Sequence, residues 1–242
     1  MNKCSTTAML CVALFFGNMA TPVWAGVFSV TPVRVFMTVK DRGVAISLSN
    51  EGDTVIALQA DISVWRQKSD GTDELVLTED LILSPPILKL APNARQVVRL
   101  ALLTPPDATR QLTYRMLVRE VPEATAPKEG MMEIPIALVL SIPVFITPEV
   151  AKRELHCTLL RTDAVNVSAS CNNTGTAYAQ LREITLLADD KPVAKFQGGS
   201  YILPGATKQI ALKAEQPIAA GAVTLQLVFD DSKSESQRLS VP

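Results

Sequence analysis

The sequence has almost no histidine. His156 is the only one, so any Ser-His-Asp or Cys-His site would have to be built on it. It stands beside Cys157 at the start of a β-branched stretch, where a surface histidine is the ordinary reading. Cysteine is scarce too, limited to Cys4, Cys11, Cys157 and Cys171. One histidine and so few thiols leave no zinc site, and neither a metal nor a cofactor is expected. The absence of Cys-x-x-Cys removes a dithiol redox centre. No Walker-type loop and no Gly-rich dinucleotide fingerprint occur. There is no basic run, and the formal net charge is −1. That balance argues against nucleic acid, whose binding needs concentrated positive surface. Carboxylate pairs at Asp189-Asp190 and Asp230-Asp231 fall at turns and strand ends. They read as solvated turn residues, with a calcium site as the alternative. "NVS" at Asn166 and "NNT" at Asn172 match the glycosylation pattern, which matters only in a eukaryotic secretory pathway. An enzyme is therefore not expected, and binding and assembly remain.

Long apolar runs are missing after the first residues. Lys3 precedes a short apolar core, "AMLCVALFFGNMA", and "VWA" places compact residues before Gly26. This pattern predicts a secretory signal peptide over residues 1–25, cut after Ala25. An uncleaved membrane anchor is the alternative, disfavoured by the shortness of the core. Later runs such as Ile134 to Ile146 are short and broken by prolines, so no stable membrane insertion is expected. Removing the leader removes Cys4 and Cys11. The remaining even pair, Cys157 and Cys171, suggests a disulfide in an exported protein; two free buried thiols are the alternative. The pair flanks "RTDAV", a hairpin turn that would set the cysteines roughly opposite each other. A bridge there closes a loop of about fifteen residues, worth about 3 kcal/mol in the chain-entropy model.

What is present is strand after strand. "VFSVTPVRVFMTV", "GVAISLSN", "VIALQADISVWRQ", "ARQVVRLALL", "QLTYRMLVREV" and "EIPIALVLSIPVF" are rich in β-branched residues. Turn signals such as "KDRG", "NEGD", "KSDGTD" and "TPPDAT" separate them. Six or seven strands at this spacing predict a β-sandwich over residues 26–146. "TPEVAKRE" begins a polar linker, 147–152. A second series, "LHCTLLRT", "AVNVSASCNN", "AQLREITLLA", "KPVAKFQGG", "KQIALKA", "GAVTLQLVFDD" and "SQRLSVP", predicts a smaller sandwich over 153–242. No convincing amphipathic helix occurs in either half.

One segment does not behave like a core strand. "MEIPIALVLSIPVF" is apolar on both alternating faces and contains Pro135 and Pro143, which central strands exclude. Ile134, Ile136, Leu138, Leu140 and Ile142 form one stripe; Ala137, Val139, Ser141 and Phe145 form the other. By residues alone, both stripes could belong to the core of a doubly covered strand. The two prolines share parity, so their missing N–H groups fall on one edge of the strand.

Several motifs together resemble the periplasmic pilus-assembly chaperones, the immunoglobulin-like partners of outer-membrane ushers. "VTPVRVFM" is similar to their first strand, and "SLSNEGDTVIALQADISVW" to the second and third. "LILSPPILKLAPNARQVVRL" carries the double proline, the L-x-P turn and the "VRL" strand in family order. "YRMLVREVP" matches the strand before the donor strand, and "IALVLSIPVFITP" the donor strand with its linker proline. The resemblance is strong over Val27 to Pro148. In the second half it rests mainly on "CNNTGTAYAQLREITL".

The resemblance implies an all-β fold, two immunoglobulin-like β-sandwich domains in a boomerang arrangement, and a location in the periplasm. It implies capture of pilus subunits with incomplete immunoglobulin folds by donor-strand complementation, and their delivery to an outer-membrane usher. On that basis the even residues Ile134, Ile136, Leu138, Leu140 and Ile142 are assigned to the partner. The odd ones, Val139, Ser141 and Phe145 among them, are assigned to the chain's own core. The family anchors the subunit's terminal carboxylate with two cleft cations. Arg34 matches the first; the second, a lysine, is replaced here by Pro143, which marks a divergent branch. Arg119 and Lys89 are spare bases, while Arg99 and Arg119 are expected in structural salt bridges. The loop "PEATAPKEG" resembles the short-loop class. The competing readings are a two-domain structural or adhesive exported protein, and a hydrolase built on His156.

Overall fold

The computed structural model describes residues 28–122, 137–161, 163 and 165–242. Every regular element among them is a strand. In chain order these are β1 (Phe28–Thr31), β2 (Val35–Thr38), β3 (Gly43–Asn50), β4 (Ile56–Gln67), β5 (Asp73–Leu77) and β6 (Leu81–Ser84), followed by β7 (Ile87–Leu90), β8 (Arg95–Leu102), β9 (Leu112–Glu120) and β10 (Val139–Thr147). A second group runs β11 (Leu155–Arg161), β12 (Asn166–Asn173), β13 (Ala179–Ala188), β14 (Lys191–Ile202), β15 (Thr207–Ala214), β16 (Gly221–Phe229) and β17 (Ser234–Val241).

The first group forms a sandwich. One sheet is ordered β1-β3-β8-β6; the other is β2-β10-β9-β4-β5, with β7 also paired to β4. Alternation of apolar and polar residues along each strand turns Ile46, Leu48, Leu58, Leu100, Met116 and Val118 inward to one buried cluster. The stretch expected as one first strand is two. It breaks at Pro32–Arg34, and β1 pairs with β3 while β2 crosses to the opposite sheet beside β10. The short strands β5, β6 and β7 were not expected from the sequence.

The second group is one hydrogen-bonded path, β11-β12-β15-β14-β13-β16-β17. It bends where β14 and β15 share only the couples Ala194↔Ala214 and Lys195↔Lys213. Gln237 closes the far side: its amide donates to Leu155 O at 2.7 Å and its carbonyl accepts from Cys157 N at 3.0 Å. Cys157 and Cys171 lie directly across from each other on β11 and β12 and are disulfide-bonded. Two residues with positive φ, Asp189 and Asp190, make the tight hairpin turn between β13 and β14.

Both sandwiches use one polar device. Asn50 and Asn173 each open an Asn-x-Gly turn and are almost wholly buried. Asn50 accepts from Gly52 N and donates to the carbonyls of Thr54, Leu90 and Ala91. Asn173 accepts from Gly175 N and donates to those of Ala177 and Ile202. Each side chain thus satisfies backbone groups that burial would otherwise leave unpaired.

Candidate functional site

β10 is the strand on which the two sandwiches meet. It pairs antiparallel with β9 from Val139 to Ile146, but with the short β2 only from Val144 to Thr147. Val139 to Pro143 therefore have a neighbour on one side and, among the described residues, none on the other. Glu120 N donates to Leu138 O at 2.9 Å. In an antiparallel ladder this turns the backbone groups of the even residues toward β9 and those of Val139, Ser141 and Pro143 toward the open edge. Pro143 lacks an N–H on that edge, so it costs the sheet no hydrogen bond. Pro135, Ile134 and Ile136 lie outside the described residues, as does most of the loop expected to be of the short class.

Burial along β10 changes steadily. Ile142, Val144 and Ile146 are core residues of the first sandwich, Leu140 packs half-buried against that core, and Leu138 is 40% exposed. Two expectations are corrected here. Ile142, assigned to a partner, is 5% exposed and already fills the chain's own core. Val139 and Ser141, assigned to that core, are exposed instead. Their face of the sheet is the outer one, and on it Pro143 and Phe145 are covered.

Phe145 is covered by the second sandwich. It belongs to the second buried cluster together with Trp65. Its ring stacks on Tyr178 at 4.1 Å and on Phe36 at 5.6 Å, with Trp65 and Tyr201 each at 6.1 Å. Gln67 and Gln111 clasp the two parts through backbone groups. Gln67 donates to Tyr201 O and accepts from Leu203 N, and Gln111 accepts from Tyr178 N. Arg110 donates to Pro204 O at 2.6 Å.

Arg34 lies in the same joint with its charge matched. Its Nη1 donates to Asp230 Oδ2 at 2.6 Å and to Gln180 Oε1 at 2.9 Å, and Tyr178 Oη donates to the same Asp230 oxygen at 3.0 Å. Burial alone would lower the Arg34 pKa; the bond to Asp230 and the nearby tyrosines outweigh it, and the net direction is upward. Burial first, and then the Asp230 charge, raises the Tyr178 phenol, so it stays a donor. Asp230 is thus no solvated turn residue: its side chain is 12% exposed and belongs to the joint.

The remaining bases divide. Arg119 bridges Asp61 at 2.9 Å, as expected. Arg99 is exposed and makes no ion pair with a described residue. Lys89 lies on β7, opposite Ala57. Arg115, passed over in the sequence, is directly across from Pro143 on β9. Its guanidinium sits 3.7 Å above the Trp65 ring. Neither this partnership nor the aromatic joint can be read from spacing, because both need the register between strands. His156 is exposed, with Glu154 Oε1 at 3.2 Å, and no nucleophile among the described residues is hydrogen-bonded to it. Among the described residues no group of His, Cys, Asp and Glu could hold a metal, and no helix is long and apolar enough to cross a membrane.

Residues 27–152, just over half of the chain, match the family described as pili and flagellar-assembly chaperone, PapD N-terminal domain. The chain belongs to this chaperone family. No curated protein matches this chaperone by sequence. Solved structures do match it, at low identity. A chain of the CsuC–CsuE chaperone–tip adhesion subunit pre-assembly complex, from the archaic Csu pili of Acinetobacter baumannii, is 19% identical with a TM-score of 0.65, covering 88% of this chain and 98% of that one. In the complex of Salmonella enterica SafA pilin with the SafB chaperone the values are 16% and 0.57, covering 90% and 97%. The Pseudomonas aeruginosa CupB2 chaperone gives 19% and 0.55, covering 88% and 100%. The likeness establishes the fold of two immunoglobulin-like sandwiches, and the low identities place this chaperone on a divergent branch.

Proposed function

We propose that this chaperone acts in the periplasm after loss of residues 1–25. There it holds a pilus subunit whose immunoglobulin fold lacks a strand and delivers it to an outer-membrane usher. The observation that carries the reading is the open edge of β10 beside an exposed Leu138. A subunit strand laid on that edge extends the six-stranded sheet. Side chains on the inner face of β10 then continue from the chaperone's core into the subunit's groove. This is β-augmentation, of which chaperone–pilin donor-strand complementation is itself a standard example.

Ile134, Ile136 and Leu138 fill the groove in this reading, and Leu140 marks the boundary where the chaperone's own core begins. Residues 26–146 supply the donor strand, 147–152 connect, and 153–242 wall the other side of the cleft. The resemblance gives a subunit carboxylate to Arg34. In this chain that carboxylate would have to compete with Asp230. The role needs no catalytic group. Co-expression with exported pilus subunits is the test. A one-to-one complex that survives size-exclusion chromatography is expected. Recovery of the chaperone alone, beside aggregated subunits that carry an incomplete immunoglobulin fold, would overturn the reading.

A further inference from the structure

The second sandwich is open along one side. β14 and β15 are neighbours in the sheet, yet only Ala194↔Ala214 and Lys195↔Lys213 join them. Beyond those couples the strands part around a groove of about 980 Å³, with Phe196 and Gln197 on one wall and Gln209, Ile210 and Ala211 on the other. On the far edge of β15, Asn173 N donates to Ala206 O at 2.9 Å. Backbone groups of successive residues alternate between the two edges of a strand, so those of Gln209 and Ala211 turn away from β12 and into the groove. Among the described residues no hydrogen bond reaches them.

The charge of this groove is unbalanced. Lys195 and Lys213 stand directly opposite each other and are both exposed, and like charges so placed repel. Glu183 bridges Lys195 at 3.1 Å, but Lys213 makes no ion pair with a described residue. Lys208 makes none either; its stem lies against Gly71, where an added Cβ would meet it at 3.0 Å. Glu215 also lines the groove and bridges none of the three lysines. Free backbone groups on a strand edge call for another strand, and an excess of lysine calls for an acidic one.

We propose that the gap between β14 and β15 is a second docking site, and that its occupant is an extended acidic segment of a partner protein. The segment adds a strand to the free edge of β15 through the backbone of Gln209 and Ala211. It sets a side-chain carboxylate between Lys195 and Lys213, and its inward side chains rest on Phe196 and Ile210, which belong to the core of the second sandwich. The site shares no residue with β10, so the proposal stands apart from the donor-strand reading.

Three end-blocked peptides test it on the whole mature chain, with valine alternating with glutamate, glutamine or lysine. Blocked ends remove the terminal charges, and backbone amide shifts in NMR spectra report where each peptide binds. The glutamate peptide is expected to bind about tenfold more tightly than the glutamine one, the worth of one charge-assisted contact, and to shift Gln209 and Ala211. The lysine peptide binds more weakly still. Lys213→Glu removes the preference for glutamate. It also sets opposite charges across the couple and raises the melting midpoint by about 1–4 °C, so binding is lost without loss of the fold. Lys213→Gln, which adds no charge, reduces the preference as well. Lys40→Glu, at an exposed position of the first sandwich, keeps it. Failure of the glutamate peptide to bind, equal affinity for glutamate and glutamine, or shifts confined to β10 overturn the proposal. So does an unchanged preference in Lys213→Glu. Self-association of the chain that covers Gln209 and Ala211 overturns the choice of occupant and gives the groove to a second copy.

Discussion

Leu138→Asp leaves the chaperone folded and abolishes its hold on a subunit. The side chain is 40% exposed in the free protein. Replacing it there changes stability by no more than about 0.5 kcal/mol, as for other surface positions. In the complex the same carboxylate enters an apolar groove with no partner, at a cost of several kcal/mol, or about a thousandfold or more in affinity. Two controls separate binding from folding. Ile142→Asp puts a charge into a site that is 5% exposed and unfolds the first sandwich. Val139→Asp, on the outer face, keeps subunit binding within about tenfold. Affinity measured by pull-down, with circular dichroism on each variant, checks all three. A Leu138→Asp protein that captures subunits normally would sink the inner-face assignment. So would a Val139→Asp protein that captures none.

Phe145→Ala is expected to separate the two sandwiches. The ring is wholly buried although its strand belongs to the first sandwich, because Tyr178 and Trp65 cover it from the joint. Loss of a buried phenylalanine costs about 3–5 kcal/mol. Here that loss falls on the contact that couples the two parts. Calorimetry should turn one transition into two, with the second sandwich retaining most of its stability behind the Cys157–Cys171 bridge. A single transition shifted by less than about 2 °C would show that the joint does not carry the coupling.

Much of the fold was legible because strands announce themselves. Period-two alternation and Asn-x-Gly turns located β3, β4 and β8, and all seven strands of the second sandwich. The break at Pro32–Arg34 was not legible, since a strand that switches sheets has the same composition as one that continues. β5, β6 and β7 were missed for a related reason: "ELVLTEDLILSPPILKL" has no clear turn spacing. In the site, parity correctly grouped Leu138, Leu140 and Ile142, but parity says nothing about how far the opposite sheet extends. Cover decides the outcome, so Ile142 is core, Leu140 is half-covered and Leu138 is open. Asp230 looked like a solvated turn because its partner Arg34 stands 196 residues away. Arg115 was hidden for the same reason, since only register sets it against Pro143.

A subunit strand paired with the open edge of β10 would cover the backbone groups that face it. Amide hydrogen exchange at Val139 and Ser141 tests it most directly, because their N–H groups face that edge while Leu140 N–H faces β9. Val139 and Ser141 are expected to slow by on the order of a hundredfold in the complex, with Leu140 protected in both states. Unchanged exchange at Val139 and Ser141 in a complex that still forms would contradict it.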